Sequence, residues 1–448
     1  MSVAVVGGGV TGLAAAHRLA RLGVETLLLE RADRWGGVVR TEEVEGFLLE
    51  AGPDSFLVRK PAAAELCAEL GLAGEMIPTD PARRGSFMLR RGRLHPLPEG
   101  LTSLVPTRFA PLVRTRLLSP AAKLRVLTEP FVARGAGLAD ESLAGFFRRR
   151  LGREASRSLI EPLVRGIYGG DPERLSLRAT FPQLADLERR HGSLLVGLLR
   201  ESRAVRRRGS TSPAVQAPPS GAAFLSLRRG LGSLVDALVA ALPRDSGRLR
   251  AGVARMDLAE GGLRLRLEDG ASVSAEAAVL ALPAPAAARL LEPVRLNVAE
   301  LLRAIPYGSS VTAMLAFDRG RVRDPLQGYG FVVPETEGGP LLACTWASSK
   351  FPGRAPAGAV LLRAFLADPS ALASRDDAEV AALALRALRP LLGIEGEPRL
   401  ARVHRWADAL PRYELGHVER VLEAERQLAA SPGLFLAGAA YHGIGLPD

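Results

Sequence analysis

The chain has 448 residues, 47% hydrophobic and 24% charged, which suits a globular protein of two or three structural units and excludes a fibrous or disordered one. Its net charge is +11, yet no basic stripe interleaved with stacking aromatic residues is present, so we expect no nucleic-acid partner. The two cysteines, Cys67 and Cys344, exclude a disulfide framework, and no Cys/His spacing is typical of a metal site.

The distribution of charge and apolar residues also bears on location. Only Lys60, Lys123 and Lys350 among the 59 basic residues are lysine, so a general preference for arginine explains much of the charge. An apolar run begins at Ser2, which leaves no room for a signal or transit peptide, and no run approaches the roughly 20 apolar residues of a membrane-spanning helix. We expect a cytoplasmic protein, with a basic surface toward anionic lipid or an acidic substrate as an open alternative.

The N-terminal residues predict a βαβ unit. Residues 2–6 are typical of a buried parallel strand, Gly7–Gly12 of a tight turn, Leu13–Leu22 of an alanine-rich helix and Val24–Glu30 of a second strand. A GxGxxG match in this context predicts dinucleotide binding, whereas a glycine-rich turn with an accidental glutamate is the alternative.

Each residue type in this motif has a physical task. Gly7 permits the turn, Gly9 lets the backbone approach a pyrophosphate, and Gly12 allows the helix to pack closely on the strand. The helix N-terminus attracts the phosphates, and Glu30 can accept hydrogen bonds from ribose hydroxyls. The predicted cofactor contacts here are Gly7, Gly9, Val10, Thr11, Gly12 and Glu30.

The segment after Glu30 favours FAD over NAD. It resembles the R-x-G-G fingerprint of glutathione-reductase-type flavoproteins and flavin amine oxidases, in which arginine and glycine reach the pyrophosphate. An exposed turn is the alternative interpretation. The predicted contacts are Arg31, Arg34, Trp35, Gly36, Gly37 and Val38.

Farther along, the chain becomes helical and then mixed. Helices are predicted from about residue 104 to 199, and Arg203–Gly221, rich in proline, serine and glycine, is predicted to be a surface loop. From Phe224 onward, short strands alternate with helices such as Gly232–Leu242 and Asp377–Leu392. An α/β protein with a helical insertion fits this order.

Five motifs in succession resemble the oxygen-dependent protoporphyrinogen oxidase family. Glu50–Phe56 resembles its "GP-S-F" segment, Arg165–Pro172 its "GVYAGDP" turn, and Leu225–Leu234 its entry into a flavin-domain helix. Trp406–His417 is similar to "A-[IL]-P-x-Y-x-x-G-H", and Ala437–Asp448 to the C-terminal flavin motif "G-N-Y-x-G-x-G-x-P-D".

The resemblance implies an α/β fold of the flavin amine oxidase type, with a helical insertion. Its FAD-binding domain is Rossmann-like (glutathione-reductase-type) and assembled from discontinuous segments, residues 1–78, 222–283 and 400–448. A mixed α+β substrate-binding domain would comprise residues 79–95, 181–221 and 284–399, and a helical domain that contacts membranes would comprise residues 96–180.

The resemblance also implies site residues. A basic residue near the "GP-S-F" loop would meet a substrate propionate, and Arg59 and Lys60 are candidates, with a solvated loop charge as the alternative. Gly169 would let the backbone approach the substrate, and Phe331 would stack on it, unless Phe331 is a core strand residue. No catalytic base and no metal ligand is predicted. The further contacts predicted for non-covalent FAD are Gly52, Pro53, Asp54, Val253, Trp406, Gly438, Tyr441, Gly443, Ile444, Gly445, Leu446 and Pro447.

The implied reaction is oxidation of protoporphyrinogen IX to protoporphyrin IX in haem biosynthesis, in three two-electron steps with oxygen as acceptor and hydrogen peroxide released. Oxidation of coproporphyrinogen III by the same chemistry is the first alternative. An amine oxidase or carotenoid desaturase, and a non-catalytic flavin or porphyrin scaffold, are the others. The implied partners are the porphyrinogen, oxygen, the inner face of the cytoplasmic membrane and a porphyrin-metallating enzyme, and a homodimer is left open.

The C-terminal motif departs from the family in one respect. Members continue past the Pro-Asp pair into a helix whose N-terminus faces the flavin ring, whereas this sequence stops at Asp448. We therefore expect either a longer natural chain or weaker flavin binding.

Overall fold

The computed structural model describes residues 2–102, 104–106, 108–135, 140–208, 222–431 and 433–448. The helices are α1 (Val10–Arg21), α2 (Ala62–Glu69), α3 (Phe109–Arg114), α4 (Pro120–Leu127), α5 (Leu143–Leu151), α6 (Arg153–Ala155), α7 (Glu161–Tyr168), α8 (Leu177–Thr180), α9 (Pro182–His191), α10 (Leu194–Arg208), α11 (Gly232–Ala241), α12 (Ala284–Leu291), α13 (Leu296–Arg303), α14 (Ala347–Lys350), α15 (Pro369–Leu372), α16 (Asp377–Leu392) and α17 (His417–Ala429). The strands are β1 (Ser2–Val6), β2 (Glu25–Leu29), β3 (Thr41–Val44), β4 (Phe47–Glu50), β5 (Phe56–Leu57), β6 (Met76–Pro78), β7 (Phe87–Arg90), β8 (Arg93–Pro96), β9 (Leu101–Thr102), β10 (Val105–Pro106), β11 (Phe224–Leu227), β12 (Gly247–Arg248), β13 (Val253–Ala259), β14 (Gly262–Leu267), β15 (Ser272–Ala275), β16 (Ala277–Leu280), β17 (Tyr307–Asp318), β18 (Gly330–Val332), β19 (Leu341–Trp346), β20 (Ala359–Leu366), β21 (Leu400–Pro411) and β22 (Leu434–Leu436).

The first domain is built on a five-stranded parallel sheet in the order β12-β2-β1-β16-β22. The neighbouring central strands β1 and β16 are short, largely buried apolar runs, as a parallel sheet requires. Helices α1 and α11 cover one face, and α12, α13, α17 and the β13-β14-β15 meander cover the other. Because β1 lies between β2 and β16, the turn after β1 opens at the centre of the carboxyl edge, where such sheets bind ligands.

The second domain is built on a seven-stranded sheet in the order β21-β17-β20-β19-β18-β7-β8. Helix α16 packs on one face of this sheet through an amphipathic stripe that includes Val380, Ala384 and Leu388. The other face packs on the β3-β4 hairpin of the first domain, where Phe47 and Leu49 meet Leu361. The two domains therefore share a buried boundary along this face.

Helices α3 to α10 form a third domain with its own apolar core. Arg150, at 0% exposure, is bonded to the carboxylate of Glu129, also 0% exposed, and through Nη1 to Glu188. The second Glu129 oxygen accepts a hydrogen bond from Ser193. Within the described residues, no helix combines the length and apolar character needed to cross a bilayer.

The structure differs from the predicted domain boundaries in three places. Residues 181–208, predicted in the substrate-binding domain, contribute α9 and α10 to the core of the helical domain. Residues 284–305 pack on the first domain's sheet, and 400–411 form an edge strand of the second domain's sheet. In each case the apolar face of the segment, which sequence position does not reveal, determines the partner.

The surface loop predicted at Arg203–Gly221 is wrong for its first residues, because α10 continues to Arg208. The rest of that prediction, residues 209–221, lies outside the described residues.

Candidate functional site

The turn after β1 has the geometry that its glycines predict. Gly7 has φ +108°, and a Cβ on it would lie 2.4 Å from the carbonyl oxygen of Ala281. A Cβ on Gly12 would lie 1.8 Å from the carbonyl oxygen of Gly7. Both positions therefore require glycine for the turn itself.

Gly9 is different, because no described atom lies within 4 Å of where its Cβ would be. This open space lies at the N-terminus of α1, where free N–H groups and the helix dipole attract anions. Gly37, with φ +57°, flanks it, and a Cβ there would lie 3.1 Å from Gly9 Cα. The two glycines thus form a cradle that fits a pyrophosphate.

Glu30 and Val253 lie together at one end of the cradle. The carboxylate of Glu30 accepts hydrogen bonds from Gly8 N at 2.5 Å and Ala32 N at 2.7 Å, which fixes it at the end of β2. The Ala251 N–H donates to Glu30 O at 2.8 Å, so the backbone leading to Val253 runs alongside. This end suits the adenosine of a dinucleotide.

The arginines after Glu30 bond to other residues of the protein. Arg31 pairs with Glu268 at 3.2 Å. Arg34 donates to Trp35 O at 3.2 Å and to Gly37 O at 2.5 Å, and burial, followed by the nearby Arg40, lowers its pKa. Arg34 therefore shapes the turn that carries Gly36 and Gly37.

Packing contacts fix the positions of Trp35 and Val38, two residues of this segment that are predicted to contact the cofactor. The Trp35 ring covers Gly8, where a Cβ would lie 2.5 Å from Trp35 Cε3. Val38 is 42% exposed, and its carbonyl oxygen would lie 1.8 Å from a Cβ on Gly52. The loop of Gly52 and Pro53 thus packs directly beside the cradle.

The C-terminal segment reaches the same cradle from the other end of the chain. Gly438 has φ +124°, and a Cβ on it would lie 3.8 Å from Thr11 Oγ1. Leu446 and Val10 are partly buried and pack against the same apolar core. Asp448 closes the last turn by accepting a hydrogen bond from Gly445 N at 3.0 Å, and it also pairs with Lys60.

The remaining residues of that segment divide between turn and core. A Cβ on Gly443 would lie 2.2 Å from Asp448 Cγ, so Gly443 permits the turn that also contains Ile444 and Pro447. Tyr441, by contrast, is only 4% exposed and lies in the core of the first domain. The structure thus places Tyr441 behind the cradle rather than on its surface.

Asp54, predicted as a cofactor contact, is in an ion pair between domains. Its carboxylate accepts hydrogen bonds from Lys350 at 2.9 and 2.8 Å and from Ser55 at 2.7 Å. Burial alone would raise the pKa of Asp54, but Lys350 and Arg363 outweigh burial and lower it to about 2. Asp54 therefore stays ionised and joins the loop to the second domain.

The strand register decides which side chains of the second domain face the cradle. Leu361 of β20 packs on the first domain, so Arg363 and Phe365, two and four residues on, share that face. Thr345 of β19 pairs with Arg363, and Gly330 of β18 pairs with Thr345. The wall of the site therefore includes Thr345 and the partly exposed Phe365.

The same register places the predicted stacking residue Phe331 on the opposite face. Phe331 pairs with Cys344, is 2% exposed and packs in the core against α16. Its neighbour Val332 faces the helical domain instead, where a Cβ on Gly166 would lie 3.7 Å from Val332 Cγ1. Adjacent strand residues point to opposite faces of the sheet, and Phe331, which was predicted to stack on the substrate, lies on the core face.

Arg363 and Trp406 join this wall to the loop of the first domain. Trp406 Nε1 donates to Ala51 O at 2.8 Å, and Arg363 Nη2 donates to the same oxygen at 3.2 Å. The guanidinium of Arg363 also lies over the Phe365 ring, 4.8 Å from its centroid. Within the described residues, the buried Arg363 Nε has no hydrogen-bond acceptor.

The helical domain supplies the third side of the site. Gly169, with φ +60°, lies against β21, since a Cβ there would be 3.3 Å from Leu410 Cδ1. Burial and then Asp448 raise the pKa of the adjacent Tyr168 to about 12, whereas Arg59 acts in the opposite direction. The predicted substrate residues Arg59 and Gly169 are therefore brought to one region.

Sequence reasoning missed Arg363, Phe365 and Lys350. The lysine had a usable signal, because a chain with three lysines among 59 basic residues keeps two of them, Lys60 and Lys350, at this site. The two strand residues become evident only from the register.

A separate cleft of about 550 Å³ lies at the amino ends of β1 and β2, at the opposite edge of the sheet. In the described part of the chain, none of the predicted site residues lines it. Ligands of such sheets bind at the carboxyl edge, so this cleft carries no argument for function. No group of three metal-ligating side chains occurs among the described residues either.

Comparison with known proteins gives one family for nearly the whole chain. Residues 10–447 match the family described as flavin containing amine oxidoreductase. A crystal structure of a proposed protoporphyrinogen oxidase from Exiguobacterium sp. 255-15 superposes with a TM-score of 0.84 at 33% identity, covering 100% of this chain and 95% of that one. The fold class predicted above is confirmed.

Three relatives carry more specific names. A coproporphyrinogen III oxidase of Propionibacterium freudenreichii subsp. freudenreichii is 38% identical over 99% of this chain and 88% of its own length. A coproporphyrinogen III oxidase of Bacillus subtilis (strain 168) is 34% identical over 100% and 95%. The chloroplastic protoporphyrinogen oxidase 1 of Arabidopsis thaliana is 31% identical over 99% and 84%.

Proposed function

Because this chain belongs to the flavin-containing amine oxidoreductase family and is an FAD-dependent porphyrinogen oxidoreductase, we propose that its substrate is coproporphyrinogen III, oxidised to coproporphyrin III with oxygen as acceptor. The sequence motifs favoured protoporphyrinogen IX, with coproporphyrinogen III as the alternative, and the relatives reverse that order. The observation that carries the proposal is the full-length match to two bacterial coproporphyrinogen III oxidases.

The protein's part in the reaction is to bind, orient and exclude water. FAD, when bound, would supply the two-electron redox chemistry of each of the three oxidations, with three molecules of oxygen as the final acceptor, reduced to three of hydrogen peroxide. The glycine cradle would hold the pyrophosphate and Glu30 would hold the ribose. The wall of Phe365 and Trp406 gives an apolar macrocycle a flat surface, and Gly169 permits its close approach from the helical domain.

Charge is the feature that distinguishes the two porphyrinogens. Coproporphyrinogen III carries four propionates, whereas protoporphyrinogen IX has vinyl groups in place of two of them. Lys60 of the first domain pairs with Asp448, the adjacent Arg59 opposes the rise in the pKa of Tyr168, and Arg363 lies on the wall formed by the second domain. Cations on two sides suit a substrate with carboxylates around its rim.

The test compares initial rates of porphyrin fluorescence with the two porphyrinogens, against the uncatalysed reaction. We expect kcat/KM to be at least about tenfold higher for coproporphyrinogen III, the value of one lost charged contact. The substitution Lys60→Met should reduce that preference, whereas Lys123→Met, the same change in the helical domain, should not. An equal or reversed ratio would favour protoporphyrinogen IX, to which the Arabidopsis relative points. If the flavin-bound protein accelerates neither oxidation, the remaining candidate functions are an amine oxidase and a non-catalytic scaffold.

We also propose that the helical domain contacts a membrane surface. Val113, Leu124, Leu127 and Phe131 are 56%, 63%, 37% and 89% exposed, on α3, α4 and the turn that follows. Lys123 Nζ donates to Val113 O at 2.7 Å, which places these elements side by side. An exposed apolar patch with basic neighbours is the chemistry of interfacial lipid binding.

Sedimentation with vesicles of anionic lipid at low salt tests the membrane contact. The double variant Leu124→Ser/Phe131→Ser should lose most of its vesicle-bound fraction. Leu422→Ser/Phe435→Ser, which changes two residues that are 55% and 54% exposed on the first domain, should not. Equal binding by both double variants would contradict this surface.

A further inference from the structure

Residues 413–417 contact two different parts of the protein at once. Tyr413 and His417 are 2% and 1% exposed, and their rings stack with centroids 3.9 Å apart and planes 15° from parallel. Neither residue lines the cradle, so the FAD contacts described above do not explain why two polar rings are buried here. Their hydrogen bonds do.

On one side the two side chains hold the C-terminal segment. Tyr413 Oη donates to Ala439 O at 2.8 Å, and His417 Nε2 lies 3.0 Å from Tyr441 O. A carbonyl can only accept, so His417 Nε2 must carry the proton. Burial lowers the pKa of His417, in keeping with a neutral ring. The two bonds fix the backbone between Gly438, where a Cβ would lie 3.8 Å from Thr11 Oγ1, and the turn at Gly443.

On the other side the backbone of the same residues pairs with the helical domain. Ser176 N donates to Tyr413 O at 2.8 Å, and Leu415 N donates to Arg174 O at 2.9 Å. Arg174 also forms an ion pair with Glu414 at 2.7 Å. This short ladder follows directly in sequence on the turn at Gly169–Pro172, where a Cβ on Gly169 would lie 3.3 Å from Leu410 Cδ1.

We propose that Tyr413 and His417 are positioning residues that couple FAD binding at residues 437–448 to the docking of residues 172–178 of the helical domain. The side chains of Tyr413 and His417 hold residues 437–448, while the backbone of residues 413–415 forms hydrogen bonds with the helical domain. Order in either segment therefore requires order in the other. Binding free energies that are coupled in this way are reciprocal. The proposal rests on FAD binding and not on which porphyrinogen is oxidised.

Hydrogen exchange of the full-length protein, without FAD and with saturating FAD, tests the coupling. In the unsubstituted protein, FAD should slow exchange both at residues 7–12, in the cradle, and at residues 172–178, which do not form it. Tyr413→Phe keeps the ring stack and removes one hydrogen bond, so FAD affinity should fall about tenfold. At saturating FAD, protection of residues 7–12 should persist in this variant, and protection of residues 172–178 should fall by a similar factor.

Two further substitutions separate positioning from packing. His417→Gln retains an N–H near the position of Nε2 and should keep the protection of residues 172–178, whereas His417→Leu should lose it. Tyr329→Phe removes the same atom from a tyrosine whose hydroxyl bonds Thr79 Oγ1 at 3.1 Å, and it should leave both segments unchanged.

Either of two results would overturn the proposal. Unaltered protection of residues 172–178 in Tyr413→Phe and His417→Leu would show that the two segments are not coupled through these rings. Loss of protection at residues 7–12 as well, with FAD saturating, would show general damage to the fold. An enzyme inactive toward every porphyrinogen would defeat the proposed function while leaving this exchange pattern in place.

Discussion

Two glycines of one motif lack a side chain for different reasons. Gly12 must be glycine because the first turn of α1 presses against Gly7 O, a contact internal to the protein. Gly9 has a backbone conformation that any residue adopts, φ −68° and ψ 175°, with open space where a Cβ would lie. Its glycine is therefore needed for what binds there, not for the fold.

We expect Gly9→Ala to leave the free energy of unfolding of the FAD-free protein within about 0.5 kcal/mol of its original value, while FAD affinity falls at least about a hundredfold. The added methyl group would occupy the space of the pyrophosphate. Gly12→Ala, with the same added methyl, should destabilise the FAD-free protein by more than about 2 kcal/mol. Denaturant unfolding and FAD titration of both variants measure this, and equal destabilisation would refute the distinction.

Side chains alternate between the two faces of a strand, and this alternation determines which residues form the wall of the site. Phe331 and Phe365 are both phenylalanines in the same sheet, but the pairing of β18, β19 and β20 turns one toward α16 and the other toward the cradle. The strand positions were readable from apolar runs, and β1 and α16 have the predicted bounds. The face of each strand was not readable, because β18 to β20 are apolar on both sides and lack a clear period of two.

The two phenylalanines give a matched pair of substitutions. Phe365→Ala should lower kcat/KM for coproporphyrinogen III about 10- to 100-fold, with little change in stability, because a partly exposed plate is lost. Phe331→Ala should cost about 3–5 kcal/mol of stability, because a core cavity forms, with near-normal kcat/KM in the folded fraction. Porphyrin fluorescence measures kcat/KM, and urea unfolding measures stability. A loss of stability in Phe365→Ala together with a loss of kcat/KM in Phe331→Ala would mean that the strand register is wrong.

Helix α5 carries two neighbouring arginines in opposite environments. Arg150 is buried against Glu129 and Glu188, whereas Arg148 pairs with Glu173 at the surface, where the side chains are 37% and 49% exposed. Arg150→Met would leave the carboxylate of Glu129 buried without its cation, and we expect a loss of about 3–5 kcal/mol. Arg148→Met should cost less than about 1 kcal/mol. Thermal unfolding of both variants checks this, and similar losses would contradict the buried network.

At the scale of the whole molecule, a charged boundary joins the domains. Asp54 and Glu50 of the first domain face Lys350, Arg354 and Arg363 of the second. Arg354, 2% exposed, donates to Leu227 O at 3.0 Å and to Ser226 Oγ at 2.8 Å, and burial raises the pKa of Glu50. Positive charge is in excess at this boundary, beside the predicted flavin site.

The Asp54 pair makes stability depend on pH. Since its pKa is lowered to about 2 from an ordinary value near 3.9, the carboxylate stabilises the fold by about 2 kcal/mol above pH 5, and this is lost as the pH falls toward 2. We expect Asp54→Asn to reduce the free energy of unfolding at pH 6, and the difference from the original protein to shrink below pH 4. Urea unfolding at a series of pH values measures it. A difference that does not change with pH would exclude this pair as the cause.

The motifs predict which segments form the cofactor site, but they did not predict how the domains divide. Gly7–Gly12 and Ala437–Asp448 could be joined from sequence because each has a recognisable turn chemistry. Residues 284–305 and 400–411 could not be assigned, because their partners are fixed by apolar surfaces that any of the three cores would accept. The same holds for Asp54, whose motif suggested a ligand contact and whose partner lies about 300 positions away in the chain.

The meeting of Thr11 with Gly438 sets an order of events during synthesis. Strand β1 is synthesised before its partner β16, which follows more than 270 positions later, and residues 437–448 come later still. At about 5–20 residues per second, on the order of 20–90 seconds separate the synthesis of β1 from that of residues 437–448. The helical domain, whose core is contributed almost entirely by residues 104–195, can fold while the chain is still growing. Because these segments lie far apart in the sequence, the flavin site can be complete only after residues 437–448 have been synthesised, later than the core of the helical domain.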